Sequence, residues 1–154
     1  MTSKQTIVFS LLTAISLHVL STPLLAQGGD RYRGRLAPVP GLLDGKTFPV
    51  ANVAGVGSTT ATLSGRKLTV SGSFEKMASP ATVGHLNMGP LTGVRGQSVF
   101  DLTVMKTGDG TSGTIAGTFD LTPEQVDAFK KGRFYVQIHS EGAPRGHLMG
   151  WLLK

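Results

Sequence analysis

The chain has 154 residues, with 15 Lys or Arg against 9 Asp or Glu and no cysteine. Without thiols it can build neither a disulfide framework nor a thiolate metal centre, so packing and hydrogen bonds alone must hold it. The net charge of +6 comes with only 6% aromatic residues, no helix rich in Lys or Arg and no nucleic-acid motif. That combination points to a solvated or anion-attracting face and away from nucleic acid.

In chain order, the first feature is the apolar run TIVFSLLTAISLHVL from Thr6 to Leu20, which follows a lone Lys4 and leads into STPLLAQGGD. This is the three-part layout of a secretory signal peptide, with cleavage expected after Ala26 and a secreted or periplasmic destination. Thr6 to Leu25 could also be retained as an anchor, since about 20 apolar residues span a bilayer. Pro23 and the interspersed polar residues favour removal, and no cysteine follows that could carry a lipid. Residues 27–154, 128 residues with a net charge of +5, are then enough for one domain with a real core. Any membrane contact would run through the uncleaved segment.

Residues 27–45 are rich in Gly and Pro and read as an extended N-terminal arm, with a first strand near Arg31 to Leu36. Alternation would put Arg31, Arg33 and Arg35 on one side of it. Beyond Leu36, Gly and Pro punctuation every 8 to 12 residues or so, with Val, Thr, Ile and Phe between, predicts an all-β domain. STTATLSGRKLTVSGSF reads as a hairpin that turns at Ser64-Gly-Arg-Lys67 and buries Leu68, Val70 and Phe74. Further strands are expected at 81–88, 98–105, 111–121, 133–140 and 146–153. In SVFDLTVM, Phe100, Leu102 and Val104 alternate with Asp101 and Thr103, as in a sheet with one wet face. The architecture expected is an antiparallel β-sandwich or barrel of immunoglobulin-like or Greek-key type.

One helix interrupts the strands, at about residues 123–131. Thr122 is placed to cap it, Pro123 to open it, Gln125 to complete a capping box, Lys130 and Lys131 to occupy its last turn, and Gly132 to stop it. Val126 and Phe129 would pin it to the sheet as a crossover.

The terminal stretch RFYVQIHSEGAPRGHLMGWLLK reads as a hairpin with Phe134, Val136 and Ile138 inward. Pairing Ile138 with Leu148 keeps the apolar faces together, sets Tyr135 opposite Trp151, and puts His139 opposite His147 on the outer face. Directly opposed imidazoles could share a cation, but zinc or copper needs three or four donors. His85 is the third candidate, so the metal-site candidates are His85, His139 and His147. The other reading of the two hairpin histidines is as polar residues on a partly solvated sheet face.

Catalytic motifs are missing. Ser140, His139 and Glu141 are consecutive, and neighbours along a strand face opposite ways, so they form no triad. The carboxylates fall in no acid/base pair, and AGVGSTT at 54–60 lacks the lysine of a phosphate-cradling loop.

The pattern GRFYVQIHS…P-R-G-H-L-M-G at 132–150, preceded by HLNMGPLTGVRGQSVFDL at 85–102, resembles the CHRD domain, a module of chordin and of many exported bacterial proteins. In that family an early His-Ile-His-Gly-Pro falls on His85, Asn87, Gly89 and Pro90. A later histidine falls on His139, a proline on Pro144 and closing glycines on Gly146 and Gly150. The chain departs from the family with Asn87 for the second histidine, His147 for Glu, Met149 for Arg and Trp151 for Gln. Over residues 31–154 the resemblance implies an immunoglobulin-like β-barrel without a general enzymatic activity. The expected function is therefore a non-enzymatic binding or structural module for a protein or other envelope ligand, needing no cofactor. The alternative is a copper- or zinc-binding domain with superoxide-dismutase-like architecture.

Overall fold

The computed structural model describes residues 28–40, 42–43, 46–47 and 53–154. The apolar N-terminal run and the expected cleavage point at Ala26 lie outside the described residues. The elements are β1 (Asp30–Pro38), β2 (Leu42–Leu43), β3 (Lys46–Thr47), β4 (Val56–Ser64), β5 (Lys67–Glu75), β6 (Ala81–Met88), β7 (Gln97–Thr107), β8 (Ser112–Asp120), α1 (Pro123–Lys130), β9 (Phe134–Ser140) and β10 (Leu148–Trp151).

Eight strands close into an antiparallel barrel in the order β1-β10-β9-β6-β7-β8-β5-β4, while β2 and β3 pair separately. The connections β5 to β6 and β8 to β9 jump over neighbouring strands, which is the Greek-key wiring expected from the sequence. Two-residue alternation sorts the side chains. In β5, Leu68, Val70 and Phe74 are buried while the residues beside them are exposed. In β1, Tyr32 and Leu36 are buried while Arg31, Arg33 and Arg35 stand outside.

The strand expected near Arg31 to Leu36 is present as residues 30–38, and it is the strand that closes the barrel. β1 pairs with β4 over seven residue pairs, from Asp30↔Leu63 to Leu36↔Gly57, and then with β10 through Ala37↔Met149 and Pro38↔Leu148. Its alternating Tyr32, Gly34 and Leu36 complete the barrel interior, which is why the chain here is ordered despite its glycines.

α1 forms as its local chemistry dictates. The Thr122 hydroxyl accepts from the Gln125 amide at 3.2 Å, and the Gln125 side chain accepts from the Thr122 amide at 2.9 Å. Gly132 at φ +68 ends the helix in a conformation that glycine adopts without strain. Ala128 and Phe129 face the core, where the Phe129 ring meets Tyr32 at 4.5 Å and Phe134 at 5.4 Å between centroids. Burying Phe129 contributes about 1.5–3 kcal/mol. Arg66 Nε donates to the Leu121 carbonyl at 2.7 Å, tying the helix entry to the β4–β5 turn, so α1 closes that end of the barrel.

Candidate functional site

The β9–β10 ribbon adopts the expected register, with Leu148↔Ile138, Met149↔Gln137, Gly150↔Val136 and Trp151↔Tyr135. Phe134, Val136 and Ile138 are fully buried in the core. The opposite face of β9 is not a wet surface, however. Tyr135 is 1% exposed and Gln137 4%, because the loop between β6 and β7 folds over them. The Tyr135 hydroxyl donates to the Gly96 carbonyl at 3.0 Å and accepts from the Gly96 amide at 3.2 Å. The Arg133 Nε donates to the Gly89 carbonyl at 2.9 Å, and the Gly89 amide donates to the Arg133 carbonyl, fixing the loop at its other end.

Arg95 lies in that loop. Its Nη2 donates to Gln137 Oε1 at 3.2 Å, and the Gln137 amide orientation is set in turn because Nε2 donates to the Arg145 carbonyl at 2.8 Å. Arg95 Nη1 is shut off from solvent and has no hydrogen-bond partner. Beside it runs a groove of about 330 Å³ lined by Ala37, Pro38, Pro40, Gly93, Arg95, Met149 and Trp151. Trp151 leans on Tyr135, with 4.7 Å between ring centroids and a 45° tilt. The expected aromatic pair therefore forms, and it also forms one wall of this groove.

The three histidines separate into two groups. His85 on β6 and His139 on β9 come together, their rings edge to face at 5.0 Å. His85 Nδ1 bonds Asp101 Oδ1 at 2.9 Å, and His139 Nδ1 donates to the Pro144 carbonyl at 2.9 Å. Burial pushes the His139 pKa down, and the nearby His85 and Arg95 charges act in the same direction against the opposing pull of the Pro144 carbonyl. Asn87, at the position of the family's second histidine, is buried and donates to the His85 carbonyl at 3.4 Å.

His147 stands elsewhere. It precedes β10, so strict alternation does not govern it, and Gly146 at φ +131 lets the chain turn there. A Cβ on Gly146 would collide with the Gln137 side-chain amide. The result is a fully buried imidazole on the interior side of β9, with Nδ1 2.6 Å from Ser140 Oγ and Nε2 2.7 Å from the Ala54 carbonyl oxygen. Nε2 also faces the Ala54 and Ala78 amide N–H groups, at 3.1 and 3.4 Å, so that nitrogen is ringed by backbone groups while Nδ1 shares its hydrogen bond with the Ser140 hydroxyl. Ser140 Oγ in turn accepts from Ser79 Oγ at 2.8 Å, which accepts from the Gly142 amide at 3.0 Å. Burial lowers the His147 pKa, opposed by the Ala54 carbonyl.

This relay joins the approach to β4, the β5–β6 link and the β9–β10 loop at the end of the barrel opposite α1. The Ser140–His147 contact has the atoms of a nucleophile and a base, but both residues are 0% exposed and the imidazole is oriented by a backbone carbonyl. Its chemistry is that of a structural clamp. Among the described residues, no group of three or more His, Cys, Asp or Glu is placed to hold a metal ion. None of their helices is long and apolar enough to cross a membrane.

The closed Greek-key barrel, the capped crossover helix and the terminal ribbon with its covering loop define a small all-β module of immunoglobulin-like type. The profile of the CHRD domain matches residues 41–152, so the chain belongs to the CHRD domain family. Neither a search of curated proteins nor one of solved structures found a match. β1, which closes the barrel, precedes the matched segment.

Proposed function

We propose that this chain is an exported, non-enzymatic binding module, acting in the cell envelope or outside the cell, and that it meets its ligand on the face formed by β10, the end of β1 and the β6–β7 loop. The observation that carries this reading is the groove beside Trp151. It is a concave site of the size that small ligands and anchoring side chains fill, and its described lining is apolar apart from Arg95. Leu91 at 66% and Val94 at 47% exposure put two more large apolar side chains on the same loop. The outer face of β5 is polar by contrast, with Thr69, Ser71 and Ser73 exposed. Support for export is the signal-like layout of residues 1–26 and the absence of cysteine.

A photo-crosslinking amino acid placed at Val94, compared with one at Ser71, tests the reading in cells that produce the full chain. Crosslinks to one defined envelope component at Val94 and none at Ser71 are expected, on a chain beginning at Gln27. Equal or absent crosslinking at the two positions would defeat the assignment of the face, and recovery in the cytoplasm would defeat the export.

A copper- or zinc-binding role is favoured by one observation. His85 and His139 sit ring to ring with each Nδ1 on an oxygen, the arrangement that leaves each Nε2 lone pair for a cation. Two imidazoles fall short of the three or four donors that hold such an ion tightly. Elemental analysis after dialysis is expected to find no stoichiometric metal, and a retained ion lost on His139→Ala would put this reading first.

A further inference from the structure

The outer surface of β1 carries a row of cations. Two-residue alternation turns Tyr32, Gly34 and Leu36 into the barrel and leaves Arg31, Arg33 and Arg35 exposed. Outward side chains on a strand stand about 6.4–6.8 Å apart, so the row is about 13 Å long. Among the described residues, no ion pair joins any of the three to an acid. Asp30, next along the strand, is already held by Lys154 Nζ at 2.7 Å. Each arginine has a hydroxyl residue across the ladder on β4, through Arg31↔Thr62, Arg33↔Thr60 and Arg35↔Ser58. On the other side of β1, Arg31, Arg33, Leu153 and Lys154 line an open depression of about 410 Å³.

Like charges at this spacing lie within the screening length of about 8 Å in physiological salt, so they repel one another and jointly attract anions. One small anion would relieve one position. A chain of anions laid along the strand would meet all three and release the counterions that each held.

The fold separates the candidate polyanions. An acidic peptide docking along a strand gains most from main-chain pairing, and a closed barrel offers it no free edge. An anionic bilayer takes up apolar side chains beside the cations, whereas the large exposed ones here, Leu153 and Val56, stand apart on opposite sides of β1. A uronic acid polymer brings carboxylates for the planar guanidinium forks and sugar hydroxyls for the Ser and Thr row. We propose that this face binds an acidic polysaccharide laid along β1, with its carboxylates on Arg31, Arg33 and Arg35 and its hydroxyls on Ser58, Thr60 and Thr62. Neither Val94 nor Ser71 belongs to this face, so it is tested separately from the groove.

Calorimetric titration of the chain with polygalacturonate tests the proposal, with dextran, polyglutamate and phosphatidylglycerol vesicles as the other probes. Saturable binding of polygalacturonate is expected, with dextran unbound. Polyglutamate should bind about tenfold more weakly, and Arg33→Gln, at the centre of the row, should cost about tenfold, the worth of one charge-assisted hydrogen bond. Raising the salt from about 50 to 200 mM should weaken binding by about tenfold or more. Lys106→Gln removes the same charge from β7, four strands from β1 around the ring in either direction, and should leave binding within about twofold. Exchanging all three arginines for glutamine should abolish binding while the thermal midpoint holds, because their side chains are exposed. Polyglutamate or dextran bound as tightly as polygalacturonate, or vesicle binding that is lost in the triple variant, would overturn the proposal. So would polygalacturonate binding that is absent, insensitive to salt, unchanged in Arg33→Gln, or reduced equally by Lys106→Gln.

Discussion

His147 illustrates what one side chain can hold together in this molecule. Its imidazole is neutral, buried and bonded at both nitrogens. His147→Ala would take one hydrogen bond from the Ser140 hydroxyl, which keeps Ser79 Oγ and the Ala143 amide, and one from the Ala54 carbonyl, at about 1–3 kcal/mol for a buried group left unsatisfied. Chemical denaturation of the variant against the parent chain measures that loss. The pH dependence has a definite sign. A histidine whose pKa is lower in the fold than in the unfolded chain takes up its proton on unfolding, so its contribution is intact above the unfolded value of about 6.5 and shrinks as pH falls below it. His139 and His147 are both shifted this way. The urea midpoint should therefore be flat from pH 8 to 7 and decline from pH 6.5 toward 5, less steeply in His139→Asn; a midpoint that rose on acidification would refute the sign. The sequence did not reveal this role for His147. Alternation places it opposite His139 on the outer face, and it is the left-handed turn at Gly146, just ahead of β10, that takes it out of the strand pattern.

At the scale of elements, most of the structure was legible. α1 and the β4–β5 and β9–β10 pairings follow from capping residues and period-two burial, which are properties of adjacent residues. Thr122→Ala should cost about 1 kcal/mol, the usual worth of an N-cap. Because α1 seals one end of the barrel, that loss should appear in the global unfolding transition seen by circular dichroism, rather than as local fraying. What sequence reading missed are contacts between distant elements. The loop at 89–96 has no periodicity, so nothing local marks Arg95 as the residue that reaches Gln137, 42 positions away. Equally, the outer residues of β9 look solvated from their alternation alone, whereas a loop from another part of the chain covers them. The histidine pairing was half legible, since His85 and His139 meet while His147 belongs to the clamp.

For the whole molecule, the decisive feature is closure. A barrel has no free edge, and here the edge-hiding strand is β1, which satisfies β4 on one side and β10 on the other. A chain shortened to begin at Val39 would expose both edges. It should lose cooperative thermal unfolding and self-associate in size-exclusion chromatography, whereas a chain beginning at Gly28 should behave as a cooperative unit; a monomeric, cooperative chain from Val39 would show that β1 is dispensable. Alternation marked the strand near Arg31 to Leu36, but the strands it joins lie far along the chain, so its part in closing the barrel was not legible. Since the first strand hydrogen-bonds the last, the ring cannot be completed until β10 has been made. Everything up to Trp151 must be available before the two strands meet, so the barrel closes through the pair of strands farthest apart in sequence.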